Sequence, residues 1–279
     1  MPAHGSVGDD CSTSGTALSS YLYKYDANGN RAQQTEQRTS ASTQALGAAE
    51  ETQYAYDAQD RLAAVLYPAG RAVVYQFDAV GNRTGEREYT GVTARSVAGL
   101  SYAAPPVGTL AHDVVGAFNR ADWLVSRTDG TDASKTFTFS YDLSGNVTVK
   151  KGTAVTRTFA WDARNTLTAV YDSGTEVGRY DYDQNLQRVK RKTASENVEY
   201  VLDDRFVLQE TDGSTTGHPS RRRYHYGTEA LAVTDGGTAT QYITNDALGS
   251  LADLTTSGGT VGQARQYDAW GKSLAAPSP

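Results

Sequence analysis

Carboxylate and amide side chains recur through this sequence at spacings that could ligate a metal. Asp26, Asn28 and Asn30 stand at positions 1, 3 and 5 of a segment that mimics the start of a calcium-binding loop. Glycine occupies position 4, Arg31 position 6, and Gln37 stands where such a loop needs a bidentate glutamate. A β-turn accounts for the same residues, because Asp side chains bond the backbone a few residues further on. The segment is therefore interpreted as a turn, with no metal and no cofactor.

The histidines and serines show no catalytic or metal-binding spacing. His218 and His225 are separated by a stretch containing Pro219, which suits neither a helix nor a pair of strands. The sequence has no Gly-x-Ser-x-Gly elbow for a serine nucleophile. Carboxylates are numerous, but each is assigned to a turn, so no acid–base pair stands out. The sequence predicts that the chain is not an enzyme, with no catalytic residue and no metal ligand.

One basic cluster could bind an anion. Arg221, Arg222 and Arg223 precede Tyr224 and His225, and arginines beside aromatic rings can contact phosphate or an anionic glycan. The commoner explanation is an edge strand protected from aggregation by its charge. Ligand-binding residues therefore remain unknown at this stage.

Composition excludes several classes of protein. The 279 residues carry 26 Lys+Arg against 32 Asp+Glu, a net charge of −6, which argues against a nucleic-acid binder. A single cysteine, Cys11, rules out a disulfide framework and a Cys-based zinc site. No apolar run is long enough to span a membrane. Residues 1–20 lack the apolar core of an ordinary signal peptide and are predicted to be a disordered leader, and residues 275–279 a frayed tail.

A cassette of about 21 residues organises the rest of the chain, residues 21–274. Its pattern is aromatic-x-aromatic-Asp-x-x-Gly-Asn, and Asp142, Asp162 and Asp183 follow one another at 20 and 21 residues. Regular self-similarity of this kind indicates a repeat architecture. The residues assigned to the repeat signature are Tyr25, Asp26, Gly29, Tyr56, Asp57, Phe77, Asp78, Gly81, Tyr141, Asp142, Gly145, Trp161, Asp162, Tyr182, Asp183, Asp246, Gly249, Tyr267, Asp268 and Gly271.

Each cassette predicts one β-hairpin. Two aromatic residues at i and i+2 lie on the same face of a strand, and the Asp then ends that strand. The third residue after the Asp is Gly, Asp or Asn in eight of ten copies, which indicates a turn with positive φ. A second strand follows, often opened five residues after the Asp by an apolar residue: Leu62, Leu124, Val147, Leu167, Leu208 or Leu251.

The predicted fold class is all-β, a meander of repetitive antiparallel β-hairpins. Ten to twelve hairpins give roughly 20 to 24 strands, more than an open twisted sheet holds without curling. The sheet is therefore expected to form a spiralling, curved sheet or partial β-shell. Residues 32–51 are predicted to form a lengthened hairpin or a loop. A degenerate copy is expected near residues 100–102, and the prolines at 105–106 are expected to interrupt or loop the sheet.

The Tyr-Asp cassettes resemble the YD repeats of RHS (rearrangement hot spot) proteins. Such repeats also occur in the B and C components of Tc toxins, in wall-associated bacterial proteins and in teneurins. The resemblance spans nearly the whole of residues 21–274, and the Tyr267–Gly271 segment is similar to the family's Tyr-Asp-Pro-aromatic-Gly, with Ala269 in place of proline. The family's Asp-Pro autoproteolysis motif has no match here.

The resemblance implies a β-shell that encloses or presents a polypeptide such as a toxin cargo, or that mediates cell-surface interaction. The implied location is secreted or at the cell surface. Expected partners are proteins, namely a cargo polypeptide, other shell segments or a second copy pairing through an exposed sheet edge, and possibly a glycan; nucleic acid is not expected. A carbohydrate-binding module and an autoproteolytic component are the alternatives.

Overall fold

The computed structural model describes residues 17–236 and 239–274. His4, Cys11, most of the predicted leader and the whole predicted tail at 275–279 lie outside the described residues. The described chain is built almost entirely of β-strands, with two short 3₁₀ turns at Pro68–Gly70 and Ala133–Lys135. None of the described residues forms a helix of the length and apolarity that a membrane span requires.

The strands follow the repeats in sequence order. The first eleven are β1 Ser19–Tyr25, β2 Arg31–Arg38, β3 Glu50–Tyr56, β4 Leu62–Tyr67, β5 Arg71–Phe77, β6 Arg83–Thr90, β7 Thr109–Phe118, β8 Leu124–Asp129, β9 Phe137–Tyr141, β10 Val147–Gly152 and β11 Thr156–Trp161. The remainder are β12 Leu167–Asp172, β13 Thr175–Tyr182, β14 Arg188–Lys192, β15 Asn197–Asp203, β16 Phe206–Asp212, β17 Ser220–Tyr226, β18 Ala230–Asp235, β19 Ala239–Asn245, β20 Leu251–Thr256, β21 Val261–Ala264, β22 Gln266–Tyr267 and β23 Ser273–Leu274.

The strands β1 to β21 form one open antiparallel sheet. Each strand pairs with the next along the chain, and β22 and β23 form a separate small hairpin. This meander confirms the predicted all-β class. The described residues form 23 strands, within the roughly 20 to 24 that the number of repeats predicts. The two numbers agree because nearly every cassette supplies two strands joined by a short turn.

Two irregular segments of the sequence behave differently from each other. The long connection after β2 is a lengthened hairpin, in which Thr39 bridges Leu46 before β3 begins.

The prediction of a degenerate repeat near residues 100–102 is wrong, since no strand pair forms there. Residues 91–108 are instead a loop between β6 and β7, and its Val92 and Val97 are buried against Ala72 and Val74 of the sheet. The chain at that point covers the sheet rather than extending it.

The core lies on both faces of the strands β4 and β5. On one face Ala64, Leu66 and Val74 pack under the 91–108 loop. On the other face Val65 and Val73 pack among Tyr54, Tyr67 and Tyr75, with Ala269 of the C-terminal hairpin against them. Both faces of these strands are apolar because each is covered, as expected for strands buried on two sides.

The two ends of the sheet contact each other through side chains. The Gln44 amide bonds both the N–H and the C=O of Val261, at 2.9 and 3.0 Å. The N–H of Ala269 donates to the Tyr67 hydroxyl at 2.9 Å. Residues of the second to fifth strands can touch residues of the twentieth to twenty-third only if the sheet curls back on itself. The sheet is therefore curved, although no backbone ladder closes it in the described residues.

Candidate functional site

The carboxylate of each well-formed cassette closes a five-residue turn. In the turn at Asp162, the carboxylate accepts hydrogen bonds from the backbone N–H groups of Arg164 and Thr166 at 2.9 and 3.0 Å. The Asp162 N–H in turn donates to the Thr166 carbonyl at 3.0 Å. These bonds, led by that of the Thr166 N–H, lower the pKa of Asp162 to about 2. The same backbone closure occurs in the turns that begin at Asp26, Asp57, Asp78, Asn119, Asp142, Asp183, Asp246 and Asp268.

The third residue after the Asp has positive φ in all nine of these turns. Five of them place glycine there, at Gly29, Gly81, Gly145, Gly249 and Gly271. The other four are Asp60, Asp122, Asn165 and, unexpectedly, Leu186 at φ 64°. The prediction of a left-handed turn position is confirmed, and Leu186 occupies it at a steric cost.

Neighbouring turns are bonded to one another, and we call this row of contacts the turn ladder. Asn30 and Asn28 both donate to the Asp60 carboxylate at 2.8 Å. The ladder continues through Arg61 Nη1 to the Asp78 carbonyl at 2.8 Å. Asn82 then donates to the Asp122 carboxylate, Asn146 to the Asn165 side chain, and Arg164 to the Asp183 carbonyl.

Between the turns that begin at Asn119 and Asp142, a tryptophan ring makes the contact in place of a hydrogen bond. A Cβ placed on Gly145 would lie 3.2 Å from the Trp123 ring, so the ring packs directly on this glycine of the next turn. Gly145 also has φ 85°. Glycine is required there both by the backbone and by the approach of the ring. The first seven turns thus form an unbroken row.

The aromatic residue before the Asp fastens its repeat to the preceding one. Tyr141 donates its hydroxyl to the Leu124 carbonyl at 2.7 Å, and the Trp161 indole N–H donates to the Val147 carbonyl at 2.8 Å. In both cases the acceptor is the first residue of the preceding hairpin's second strand. The same contact joins Tyr56 to Arg31, Tyr226 to Val207 and Tyr267 to Leu251. These half-buried rings are thus engaged at their polar ends by the fold itself.

The cassette aromatics share one face of the sheet, which we call the aromatic face. Directly opposed residues lie on the same face of a sheet. The register pairs Phe139 with Lys150 and Lys150 with Arg157, and further along it pairs Phe159 with Val170. Continuing the pairing in both directions places these aromatics on this face: Tyr21, Tyr23, Tyr54, Tyr75, Phe139, Phe159, Tyr180, Tyr200 and Tyr224.

Arginines on this face were missed by the sequence analysis. In three repeats the residue five after the Asp is arginine rather than apolar, and its guanidinium lies over the ring of the Tyr three before the same Asp. Each guanidinium is also within about 6 Å of a second ring centre: Arg31 near Tyr54, Arg188 near Tyr200, and Arg83 near Trp270. The shared spacing of Tyr, Asp and Arg was the signal that could have found them.

The group formed by Arg83, Tyr75 and Trp270 contacts the C-terminal hairpin. Trp270 lies 4.6 Å from the Arg83 guanidinium and meets the Tyr75 ring edge-on at 5.6 Å. For Arg31 and Arg188 the second ring belongs to the next strand of the same sheet. For Arg83 the second ring is Trp270, which lies in the turn between β22 and β23 at the other end of the sequence.

One predicted copy departs from the pattern. The turn at Asp203 has only Asp204 and Arg205 between the paired residues Asp203 and Phe206. It lacks the five-residue closure, and Leu208 lies inside β16 rather than opening it, which corrects the expectation for this repeat. The positive φ falls on Asp204 instead.

The residues weighed as metal or catalytic candidates are engaged in turns and local bonds. The Asp26 carboxylate accepts bonds from the N–H groups of Asn28 and Asn30 at 2.9 Å. No group of three or more potential metal ligands occurs among the described residues. His112, seen in sequence only as an isolated histidine, lies 3.0 Å from the buried carboxylate of Asp129. Bonds from Thr131 outweigh the effect of burial and hold the pKa of Asp129 at about 2.

Comparison with known proteins matches part of the chain to a repeat family. The family model for the RHS repeat matches residues 25–72 and 56–93. The tRNA3(Ser)-specific nuclease WapA of Bacillus spizizenii is 35% identical over 139 residues, and the tRNA nuclease WapA of Bacillus subtilis is 31% identical over 137. Each match spans 47% of this chain and only 6% of the relative. A crystal structure of TcdB2-TccC3-TEV aligns with 84% of this chain and 14% of its own at 12% identity, with a TM-score of 0.38.

Proposed function

From the RHS/YD repeats that this chain carries, we propose that it is a non-catalytic scaffold, a segment of a β-shell that encloses or presents a partner polypeptide in a secreted or cell-surface protein. The turn ladder is the observation that carries this proposal. It uses the cassette carboxylates and amides to join successive hairpins into one continuous curved sheet. A wall of this kind is what an enclosing or presenting function requires.

The chemistry of the cassettes supports a structural role. The Asp142 carboxylate, for example, accepts bonds from the N–H groups of Ser144 and Asn146 and from the Asn146 side chain, so both of its oxygens are engaged. A general acid or base needs a carboxyl group that can exchange protons with a substrate near neutral pH. The low pKa of Asp142, set first by the Asn146 side chain, works against such exchange.

The nuclease activity in the names of the two relatives is not proposed for this chain. The net charge of −6 would repel the phosphates of RNA. The aromatic face also gives little support to a glycan module, because the rings in the slot before the Asp are bonded into neighbouring strands and several others are stacked against arginines.

Binding of an unfolded polypeptide tests the proposal. The probe is reduced and carbamidomethylated lactalbumin, labelled with a fluorophore and mixed with the full chain. We expect a rise in fluorescence anisotropy and slower cleavage of the probe by a protease. Unchanged anisotropy with undiminished cleavage would refute the scaffold proposal. A glycan-array signal in its place would favour the carbohydrate-binding alternative, and a shortened mass of the purified chain would favour autoproteolysis.

A further inference from the structure

A cleft on the aromatic face gathers four arginines from two distant parts of the sequence. It has a volume of about 540 Å³ and lies across the strands β14 to β18. Arg188 and Arg191 of β14 line it together with Arg221 and Arg222 of β17. Only the last two belong to the basic cluster that the sequence makes obvious. We call this pocket the guanidinium cleft.

Arg188 is an exposed cation without a carboxylate partner in the described part of the chain. Its guanidinium lies 5.7 Å from the Tyr180 ring centre and 5.4 Å from that of Tyr200. Aromatic rings accept none of the in-plane hydrogen bonds of a guanidinium, and no described residue does so for Arg188, so its N–H groups are free to bond an acceptor. Arg188 is thus positioned by aromatic rings but keeps its hydrogen-bond donors available.

Two further arginines are held in place by one shared carboxylate. Glu196 accepts from Arg191 at 2.7 Å through one oxygen and from Arg221 at 3.0 Å through the other. The Nε of Arg191 is buried and has no hydrogen-bond partner. This nitrogen is therefore not open to an incoming ligand. One carboxylate between two guanidiniums nevertheless leaves a positive charge uncompensated beside the cleft.

The remaining groups set how much anionic charge the cleft can accept. Arg222 is neutralised by Asp235 at 2.7 Å, and Glu210 accepts a bond from the Tyr224 hydroxyl at 2.9 Å. Four guanidiniums therefore face three carboxylates, an excess of a single positive charge. This is the reverse of the chain as a whole, whose net charge is −6. The cleft suits one singly charged group far better than a run of phosphates.

A planar carboxylate matches these donors. Arginine forks bind carboxylates through two parallel bonds, and the cleft offers no uncovered ring on which a sugar could stack, since Arg188 already covers Tyr200. We infer that the guanidinium cleft binds an acidic side chain of an extended partner polypeptide, with Arg188 donating to its carboxylate beside the uncompensated positive charge that Arg191 and Arg221 share. This assignment rests on the proposed scaffold function and names one point at which the partner is held.

Side-chain NMR of the full chain tests the assignment. The probe is the peptide acetyl-Glu-Gly-Glu-amide, titrated while the Nε–H signals of Arg188 and Arg191 are followed. We expect both signals to shift and saturate. The peptide acetyl-Gln-Gly-Gln-amide, which has the same shape without the charge, should leave them unmoved. Loss of one charge-assisted hydrogen bond in Arg188→Gln should weaken binding about tenfold.

Arg205→Gln is the matched control. Arg205 also lies over an aromatic ring, that of Phe206, but outside the cleft. Its substitution should leave the peptide affinity unchanged. Equal weakening by the two variants, a shift with the glutamine peptide, or displacement of the acidic peptide by equimolar phosphate or galacturonate would overturn the assignment.

The two proposals can fail separately. Protection of the unfolded lactalbumin probe without binding of the acidic peptide would remove the cleft assignment and leave the scaffold proposal standing. Binding of the acidic peptide without protection of the lactalbumin probe would refute the scaffold proposal and leave an isolated carboxylate site.

Discussion

The side-chain amide of Asn82 lies 3.0 Å from a carboxylate oxygen of Asp122, forty residues further along the chain. The same amide is also bonded to Asp78 within its own turn, at 2.9 Å. One asparagine therefore closes its own turn and ties it to the next. The same dual bond recurs in the turn ladder at Asn30 and Asn146.

A double-mutant cycle will measure the strength of the hydrogen bond between Asn82 and Asp122. We expect Asn82→Ala and Asp122→Gly to show a coupling of about 0.5 kcal/mol in the free energy of unfolding, since the bond is exposed and competes with water. Urea denaturation of the two single variants and the double variant gives the value. The pair Asn82→Ala with Asp60→Gly serves as the control, because Asp60 accepts from Asn28 and Asn30 instead. If the effects of Asn82→Ala and Asp122→Gly on the free energy of unfolding were additive within error, the hydrogen bond between Asn82 and Asp122 would contribute nothing to stability.

Leu186→Gly will stabilise the protein. Leu186 stands at φ 64° in the turn position where five other repeats carry glycine. Removing its Cβ should raise the free energy of unfolding by about 1 kcal/mol. Leu143 is an exposed turn residue that is not among those with positive φ. Leu143→Gly should therefore lower the free energy of unfolding, because it only increases the entropy of the unfolded chain. Denaturation midpoints that move in the same direction would contradict the strain argument.

Acid will unfold the sheet through its turns. Hydrogen bonds lower the pKa of Asp78, Asp142 and Asp162 from the ordinary value of 3.8. The unfolded chain therefore takes up protons first as the pH falls. Stability should be complete above about pH 4 and be lost as the pH falls toward 2. Urea midpoints measured across this range will show the decline, and a decline already present between neutral pH and about pH 5 would be incompatible with it.

Asp253 will show the opposite pH dependence. Its side chain is fully buried, one oxygen has no hydrogen-bond partner, and burial raises its pKa. Its carboxylate therefore destabilises the fold as the pH rises through that raised pKa. Asp253→Asn should increase the free energy of unfolding at pH 7 and have little effect near pH 3.5. A uniform change at both pH values would point to packing rather than charge.

Trp270→Ala will loosen the C-terminal hairpin. Without this ring β22 and β23 lose their contact with Arg83 and Tyr75, at a cost of about 1 kcal/mol, and keep the bond from the Ala269 N–H to Tyr67. Amide hydrogen exchange of residues 266–274 should become faster, with the rest of the sheet little changed. Leu248→Ala is the control, because Leu248 occupies the same turn position in the preceding repeat and is exposed. If hydrogen exchange of residues 266–274 became faster to the same extent in both variants, the Trp270 contact would not be what stabilises the hairpin.

The sequence by itself determined the repeating unit. Each unit has two aromatic residues, then an aspartate, then a residue that tolerates positive φ, all within about eight residues. Local backbone chemistry is enough to make this pattern a strand followed by a turn. Tyr141, Asp142 and Gly145 could be placed in this way without any knowledge of their neighbours. The number of strands and their antiparallel order then followed from the spacing.

Only the tertiary structure decided what meets across the repeats. Asn82 meets Asp122 and Arg188 meets Tyr200 because the strand register aligns neighbouring hairpins, whereas Trp270 reaches Tyr75 because the sheet curves. Register is a property of paired strands, and curvature is summed over many strands, to which each cassette contributes a small amount. A periodic sequence does not encode that sum at any one position, so the loop over Val74 and the guanidinium cleft appeared only in three dimensions.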